Sequence, residues 1–117
     1  IVFTNGSTSH AERVMARLGV THHFDGIFDI AAAGYIPKPA PHVYDQLVAD
    51  YQIDPSRAVM IEDIARNLEP AAALGMTTVW LKGATGWGRE GSDSAYVHHV
   101  IDDLPTWLDS VATSTGN

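Results

Sequence analysis

Four polar groupings in this chain have the residue types and spacing to do chemistry. They are the strand-end run Thr4-Asn5-Gly6-Ser7, the proline-flanked Lys38 of "GYIPKPAPHVY", the adjacent acids Glu62-Asp63, and Asn67 four residues beyond. A hydroxyl and backbone amides at the end of an apolar strand can take an anion. A helix N-cap uses the same donors, so Thr4 and Ser7 have two open roles. Lys38 stands between Pro37 and Pro39, which fix φ on both sides and stiffen its loop. An ammonium held there can neutralise a phosphate and a carboxylate together, while a solvated surface stem is the plainer role. Asp63 and Asn67, at i and i+4, share one face of a helix and with Glu62 make an oxygen-rich cluster. Magnesium takes one or two carboxylates and keeps waters or phosphate oxygens elsewhere; an acid at a helix start also serves as a cap.

These groups must be positioned by the elements around them. Apolar runs at Ile1 to Asn5, Phe24 to Ile30, Ala58 to Asp63 and Thr77 to Leu81 read as strands, and their continuous hydrophobicity suits burial on both faces of a parallel sheet. Helical spacing lies between them: Ala11, Val14, Met15 and Leu18 stopping at Gly19, then Val43, Leu47 and Val48, then Leu68, Ala71 and Ala72. A last helix carries Leu104, Trp107, Leu108 and Val111 behind Asp102 and Asp103. Alternating strands and helices predict an α/β fold, Rossmann-like and three-layered (α/β/α), with a mainly parallel sheet. Ligands in such sheets bind at the carboxyl ends of strands, which selects Thr4 to Ser7, Glu62-Asp63 and Lys82-Gly83. Trp80, Trp107 and Leu108 read as core, Trp87 as a loop anchor or pocket rim, and Arg66 as a surface partner of Glu62 or Glu69. The pairs His22-His23 and His98-His99, read as neighbours on strands, point to opposite faces and make no two-histidine metal site.

Composition narrows the classes. A chain of 117 residues with 45% hydrophobic content fits one small domain. A net charge of -7 with 7 Lys and Arg argues against nucleic acid or an anionic membrane as partner. The absence of cysteine excludes disulfides and thiolate metal sites, and with no membrane-length apolar run or signal peptide the expectation is a cytoplasmic protein.

Strand-Thr-Asn-Gly, then a proline-flanked Lys, then strand-Glu-Asp-x-x-x-Asn and "AAALGMTTVW" resembles the haloacid dehalogenase-like hydrolase superfamily. "RNLEPAAALGMTTVWL" and "HHVIDDLPTWL" look like its pyrimidine 5'-nucleotidase branch. The resemblance implies a magnesium-dependent phosphomonoester hydrolase acting through an aspartyl phosphate on a small phosphorylated substrate, such as a nucleoside 5'-monophosphate. Thr4 would hydrogen-bond the transferring phosphoryl group beside the Asn5 and Gly6 amides. Lys38 would stabilise charge on nucleophile and phosphate, Asp63 and its neighbour Glu62 would hold Mg2+, and Asn67 would support the metal site. The family pattern opens with an Asp-x-Asp strand, central in its sheet, and no Asp-x-Asp occurs here. The expectation is an incomplete core over residues 1–112 with a tail at 113–117, inactive alone and needing an N-terminal segment or a partner chain to complete the sheet. Two alternatives stay open: a 2-haloacid dehalogenase-type hydrolase, and a non-catalytic α/β binding or regulatory domain.

Overall fold

The computed structural model describes residues 1–83 and 88–115, with side chains up to 113. Trp87, with its expected anchoring role, and the end of the tail lie outside the described residues. The chain divides into two compact units, Ile1–Gln52 and Ile53–Asn117.

The first unit runs β1 (Val2–Phe3), α1 (Thr8–Leu18), β2 (Ile27–Phe28) and α2 (Pro41–Tyr51), with β1 and β2 parallel. Both strands are shorter than their apolar runs. The residues around β2 form a 3-10 turn at Thr21–His23 on one side and a coil after Asp29 on the other. Ser7 caps α1, its Oγ accepting from the His10 N–H at 3.1 Å, and Gly19 ends the helix at φ 70 in the left-handed region that glycine enters without a Cβ penalty. Of the apolar stripe on α1, Met15 is buried, whereas Val14 and Leu18 are exposed. Pro41 opens α2 with φ already preset, and Val43, Tyr44 and Leu47 bury its inner face. Phe3 meets both Phe28 and Tyr44 edge-on, with ring centroids 5.6 and 5.0 Å apart. Each such pair contributes about 0.5–1.5 kcal/mol beyond the area it buries.

The second unit runs β3 (Val59–Glu62), α3 (Glu69–Ala73), β4 (Thr77–Leu81), β5 (His99–Ile101) and α4 (Leu104–Thr115). Its strands form a parallel sheet in the order β3-β4-β5. Central β4 buries Thr78, Val79 and Trp80, as its apolar run predicts. β3 does not follow that expectation: Val59 and Ile61 are exposed and alternate with half-buried Met60 and Glu62. β5 escaped the sequence reading, because a three-residue strand starting at His99 offers almost no apolar run. Its approach is set by a clasp. The Thr78 N–H donates to His98 Nδ1 at 3.0 Å, the His98 N–H donates to Thr78 Oγ1 at 3.0 Å, and that hydroxyl donates to the Tyr96 carbonyl at 2.5 Å. Ala65, Leu68 and Trp80 form the buried cluster, flanked by Met60, Tyr96 and Val97. Leu108, expected in the core, is exposed on α4. No helix among the described residues is long and apolar enough to cross a membrane.

Candidate functional site

Thr4, Asn5, Gly6 and Lys38 come together at the carboxyl end of β1. Lys38 is no solvated stem: its Nζ donates to the Phe3 carbonyl at 3.0 Å and lies 4.7 Å from the Phe3 ring centroid. Its backbone N–H donates to Asn5 Oδ1 at 2.8 Å. The open roles of the hydroxyls separate. Ser7 is the helix cap, while Thr4 Oγ1 accepts from the Gly6 N–H at 3.0 Å, which leaves the Thr4 proton to be donated outward. The Gly6 amide, expected as a free donor, is thereby committed. The Asn5 N–H has no acceptor among the described residues. A cation, a hydroxyl proton and a backbone N–H at one strand end make an arrangement that favours an anion.

The coil that leads to Lys38 starts at Asp29, which the sequence reading placed inside a strand. One carboxylate oxygen accepts from the Ala32 N–H at 2.8 Å, and the other from the Thr8 N–H at 3.0 Å and the Thr8 hydroxyl at 2.7 Å. The Ala32 amide first, and then the Thr8 hydroxyl, hold the Asp29 carboxyl below the ordinary carboxylate range.

In the second unit, Glu62 ends β3 and Asp63 follows it. The helical face expected to join Asp63 to Asn67 is not formed, because Asp63 precedes a 3-10 turn over Ala65–Leu68 that winds with a different period. Asn67 is buried at 2% exposure, and Asp63 is exposed. Asp63 is not the cap of that turn; Ile64 holds the position without a side-chain cap bond, and the Ile64 N–H donates to Glu62 Oε1 at 3.4 Å. Asp63 is held through its backbone instead. Its carbonyl accepts from Trp80 Nε1 at 2.9 Å, and Gly88, at φ +76, packs so close that a Cβ there would stand 2.3 Å from the same oxygen. The Gly88 carbonyl in turn accepts from the Ala65 N–H at 2.8 Å. The Asp63 carboxylate makes no hydrogen bond among the described residues. Among the described residues, no three His, Cys, Asp or Glu side chains gather there as a metal-holding group. Two neighbouring acids, one with its carboxylate uncommitted, fit a hard cation that takes one or two carboxylates and fills its other positions from solvent or substrate.

Two expectations about side groups change. Arg66 pairs with Glu90 at 3.5 Å on the surface, not with Glu62 or Glu69. His22 and His23 lie on a 3-10 turn with ring centroids 3.9 Å apart, so the opposite-face argument does not apply to them. Trp80 and Asp29, which the sequence reading assigned to core and strand, make side-chain hydrogen bonds that it did not foresee.

Comparison with known proteins agrees with this architecture. The enolase-phosphatase E1 of Frankia alni is 40% identical over 60 residues, covering 51% of this chain and 25% of that protein. The fructose-1-phosphate phosphatase YqaB of Escherichia coli is 31% identical over 80 residues, covering 67% of this chain and 41% of its own length. The chain thus spans well under half of these relatives. Among solved structures, a haloacid dehalogenase family hydrolase from Deinococcus radiodurans, with bound phosphate and sodium, superposes with a TM-score of 0.70 at 22% identity. It covers 96% of this chain and 51% of that one. The L-2-haloacid dehalogenase of Xanthobacter autotrophicus gives 0.68 at 15% identity, covering 91% of this chain and 51% of that one. At such identities the likeness speaks for the fold, an α/β architecture with parallel strands. A family profile described as haloacid dehalogenase-like hydrolase matches residues 1–75, which include Thr4, Lys38, Glu62, Asp63 and Asn67. With that much of its length matched, the chain belongs to the haloacid dehalogenase-like hydrolase family.

Proposed function

We propose that this chain is the phosphate- and metal-handling portion of a magnesium-dependent phosphomonoester hydrolase. The observation that carries the reading is the fixed position of Lys38 at the end of β1, with Nζ 3.0 Å from the Phe3 carbonyl, beside a Thr4 hydroxyl whose oxygen is already bonded. Thr4 donates to a phosphoryl oxygen, the Asn5 N–H donates to a second, and Lys38 offsets negative charge on phosphate and nucleophile. Asp63, with Glu62 beside it and Asn67 in support, would hold Mg2+, which when bound neutralises the phosphate oxygens. Most of the catalysis is positioning and charge neutralisation. The phosphoryl group passes from the substrate oxygen to an aspartate, releasing an alcohol, and then to water, releasing inorganic phosphate. These 117 residues contain no Asp-x-Asp, so that aspartate is proposed to come from a further segment or a partner chain. The proposed division into a partial core, 1–112, and a tail, 113–117, puts its boundary inside α4.

The substrate is proposed to be a small phosphomonoester, with nucleoside 5'-monophosphates as the specific candidate. Two relatives named as phosphatases favour phosphate chemistry. The test uses the protein as its natural gene encodes it, assayed on an aryl phosphate and on a panel of nucleoside monophosphates and sugar phosphates. Phosphate release that stops with a chelator and returns with Mg2+, and that falls about 100-fold in Asp63→Asn, is the expected result. Halide release from a 2-haloacid that is indifferent to chelator would replace the reading with dehalogenation, and no turnover of either kind would favour a binding role.

A further inference from the structure

We infer that Asp29 is a positioning residue for Lys38, setting the coil that carries the lysine against the first turn of α1. This rests on the reading of Lys38 and Thr4 as the phosphate-handling pair. Asp29's two carboxylate oxygens serve different elements. Oδ1 accepts from the Ala32 N–H and starts the coil, which continues through Ala33 N–H to the Asp29 carbonyl at 3.1 Å and Tyr35 N–H to the Ile30 carbonyl at 2.8 Å. Oδ2 takes both donors of Thr8, the first residue of α1. That helix begins directly after the Thr4-Asn5-Gly6-Ser7 run.

Two further bonds close the loop on either side of this grip. The Ile30 N–H donates to the Gly6 carbonyl at 3.1 Å, and the Lys38 N–H donates to Asn5 Oδ1. The two segments that carry the proposed phosphate contacts are therefore tied at Gly6-Ile30, at Thr8-Asp29 and at Asn5-Lys38. Only the middle tie uses a carboxylate with several simultaneous donors, and charge-assisted bonds of that kind are about twice as strong as neutral ones. Without it the coil's main chain still meets the cradle through the neutral Gly6-Ile30 and Asn5-Lys38 bonds, and the ammonium still meets the Phe3 carbonyl, but no carboxylate gathers donors from both segments at once. A lysine displaced by about 1 Å from a developing charge loses on the order of 100-fold in rate.

The experiment compares Asp29→Ala, Thr8→Val, Thr8→Ser, Lys38→Ala and the Asp29→Ala/Lys38→Ala pair in the naturally encoded protein. It reads aryl phosphate turnover and amide hydrogen exchange. Asp29→Ala is expected to lower kcat about 10- to 100-fold with little change in KM, and to add nothing to the loss in Lys38→Ala, since groups acting through one another are not additive. Thr8→Val should follow it in part, and Thr8→Ser, which keeps the hydroxyl, should recover. Exchange at the Lys38 amide should quicken at least tenfold in Asp29→Ala while the amides of β4 keep their protection. Unchanged Lys38 protection, or a kcat loss that simply multiplies with that of Lys38→Ala, would overturn the inference. If Lys38→Ala itself keeps wild-type turnover, the phosphatase reading fails at that residue, and the exchange result alone decides whether Asp29 holds the coil.

Discussion

The strand end of β1 and the strand end of β3 hold their polar residues in opposite ways. After β1 the side chains are committed: Thr4 to Gly6, Asn5 to Lys38, Ser7 to His10, and Lys38 to Phe3. After β3 the backbone is committed. Trp80 grips the Asp63 carbonyl and Gly88 packs on it, while the Asp63 carboxylate stays exposed. An anion is met by many weak donors that must converge, so their directions have to be fixed in advance. A hard cation needs a carboxylate with unspent lone pairs, so the protein fixes the main chain and leaves the side chain open. The difference in construction follows from the sign of the charge each end is proposed to meet.

Breaking the committed side is expected to have the largest effect. Lys38→Ala should lower turnover by about 1,000-fold, comparable to removing a preorganised donor from an oxyanion site, with thermal unfolding nearly unchanged. Wild-type kinetics would show that the lysine's bonds to β1 are purely structural. On the other side, Gly88→Ala demands a Cβ 2.3 Å from the Asp63 carbonyl in a positive-φ conformation, so the main chain must move. A loss of about 2–3 kcal/mol in unfolding free energy is expected by chemical denaturation, with weakened magnesium titration; an unperturbed variant would mean that the Gly88 contact is dispensable. Trp80→Phe keeps most of the buried ring and deletes the indole donor. About 1 kcal/mol should be lost, and magnesium affinity should fall more than stability does if backbone placement is what Asp63 needs.

The smallest effect distinguishes ionic from neutral ties within the β1 side. The folded Asp29 carboxyl titrates below its unfolded value of about 3.9. Its stabilising contribution is therefore complete above about pH 5 and is lost as the pH falls through the lower, folded value. Asp29→Asn should melt below wild type at neutral pH, and the gap should close as the pH falls through the folded value. A gap independent of pH would assign the tie to hydrogen-bond geometry alone.

What the sequence disclosed divides along a physical line. Gly19 as the stop of α1 and the buried run of β4 were legible, because each depends on neighbours in sequence. The exposed positions were not. Val14 and Leu18 sit at helical spacing with Met15, yet only Met15 is buried, since periodicity says which side is apolar and not what covers it. Val59 and Ile61 make the same point for β3. Among the residues proposed for the two strand ends, Thr4, Lys38 and the two acids stand out in the sequence by type. Asp29 did not, although an acid closing an apolar run is where an α/β sheet presents its ligand groups. Reading Phe24 to Ile30 as one strand hid it, and the strand proper is Ile27–Phe28. Trp80 was legible as core, but its indole proton matters through a carbonyl 17 positions away, which no local pattern can show.

The clasp between Thr78 and His98 has a consequence for how this protein can vary. Because β5 is seated by hydrogen bonds made before its first residue, its register does not depend on the length of the connection that delivers it. Doubling such a connection costs only about 0.6 kcal/mol of closure entropy. Insertions and deletions between Gly88 and Tyr96 should therefore be tolerated among natural relatives, leaving that stretch free to diversify while Gly88 and the sheet beside Asp63 stay as they are.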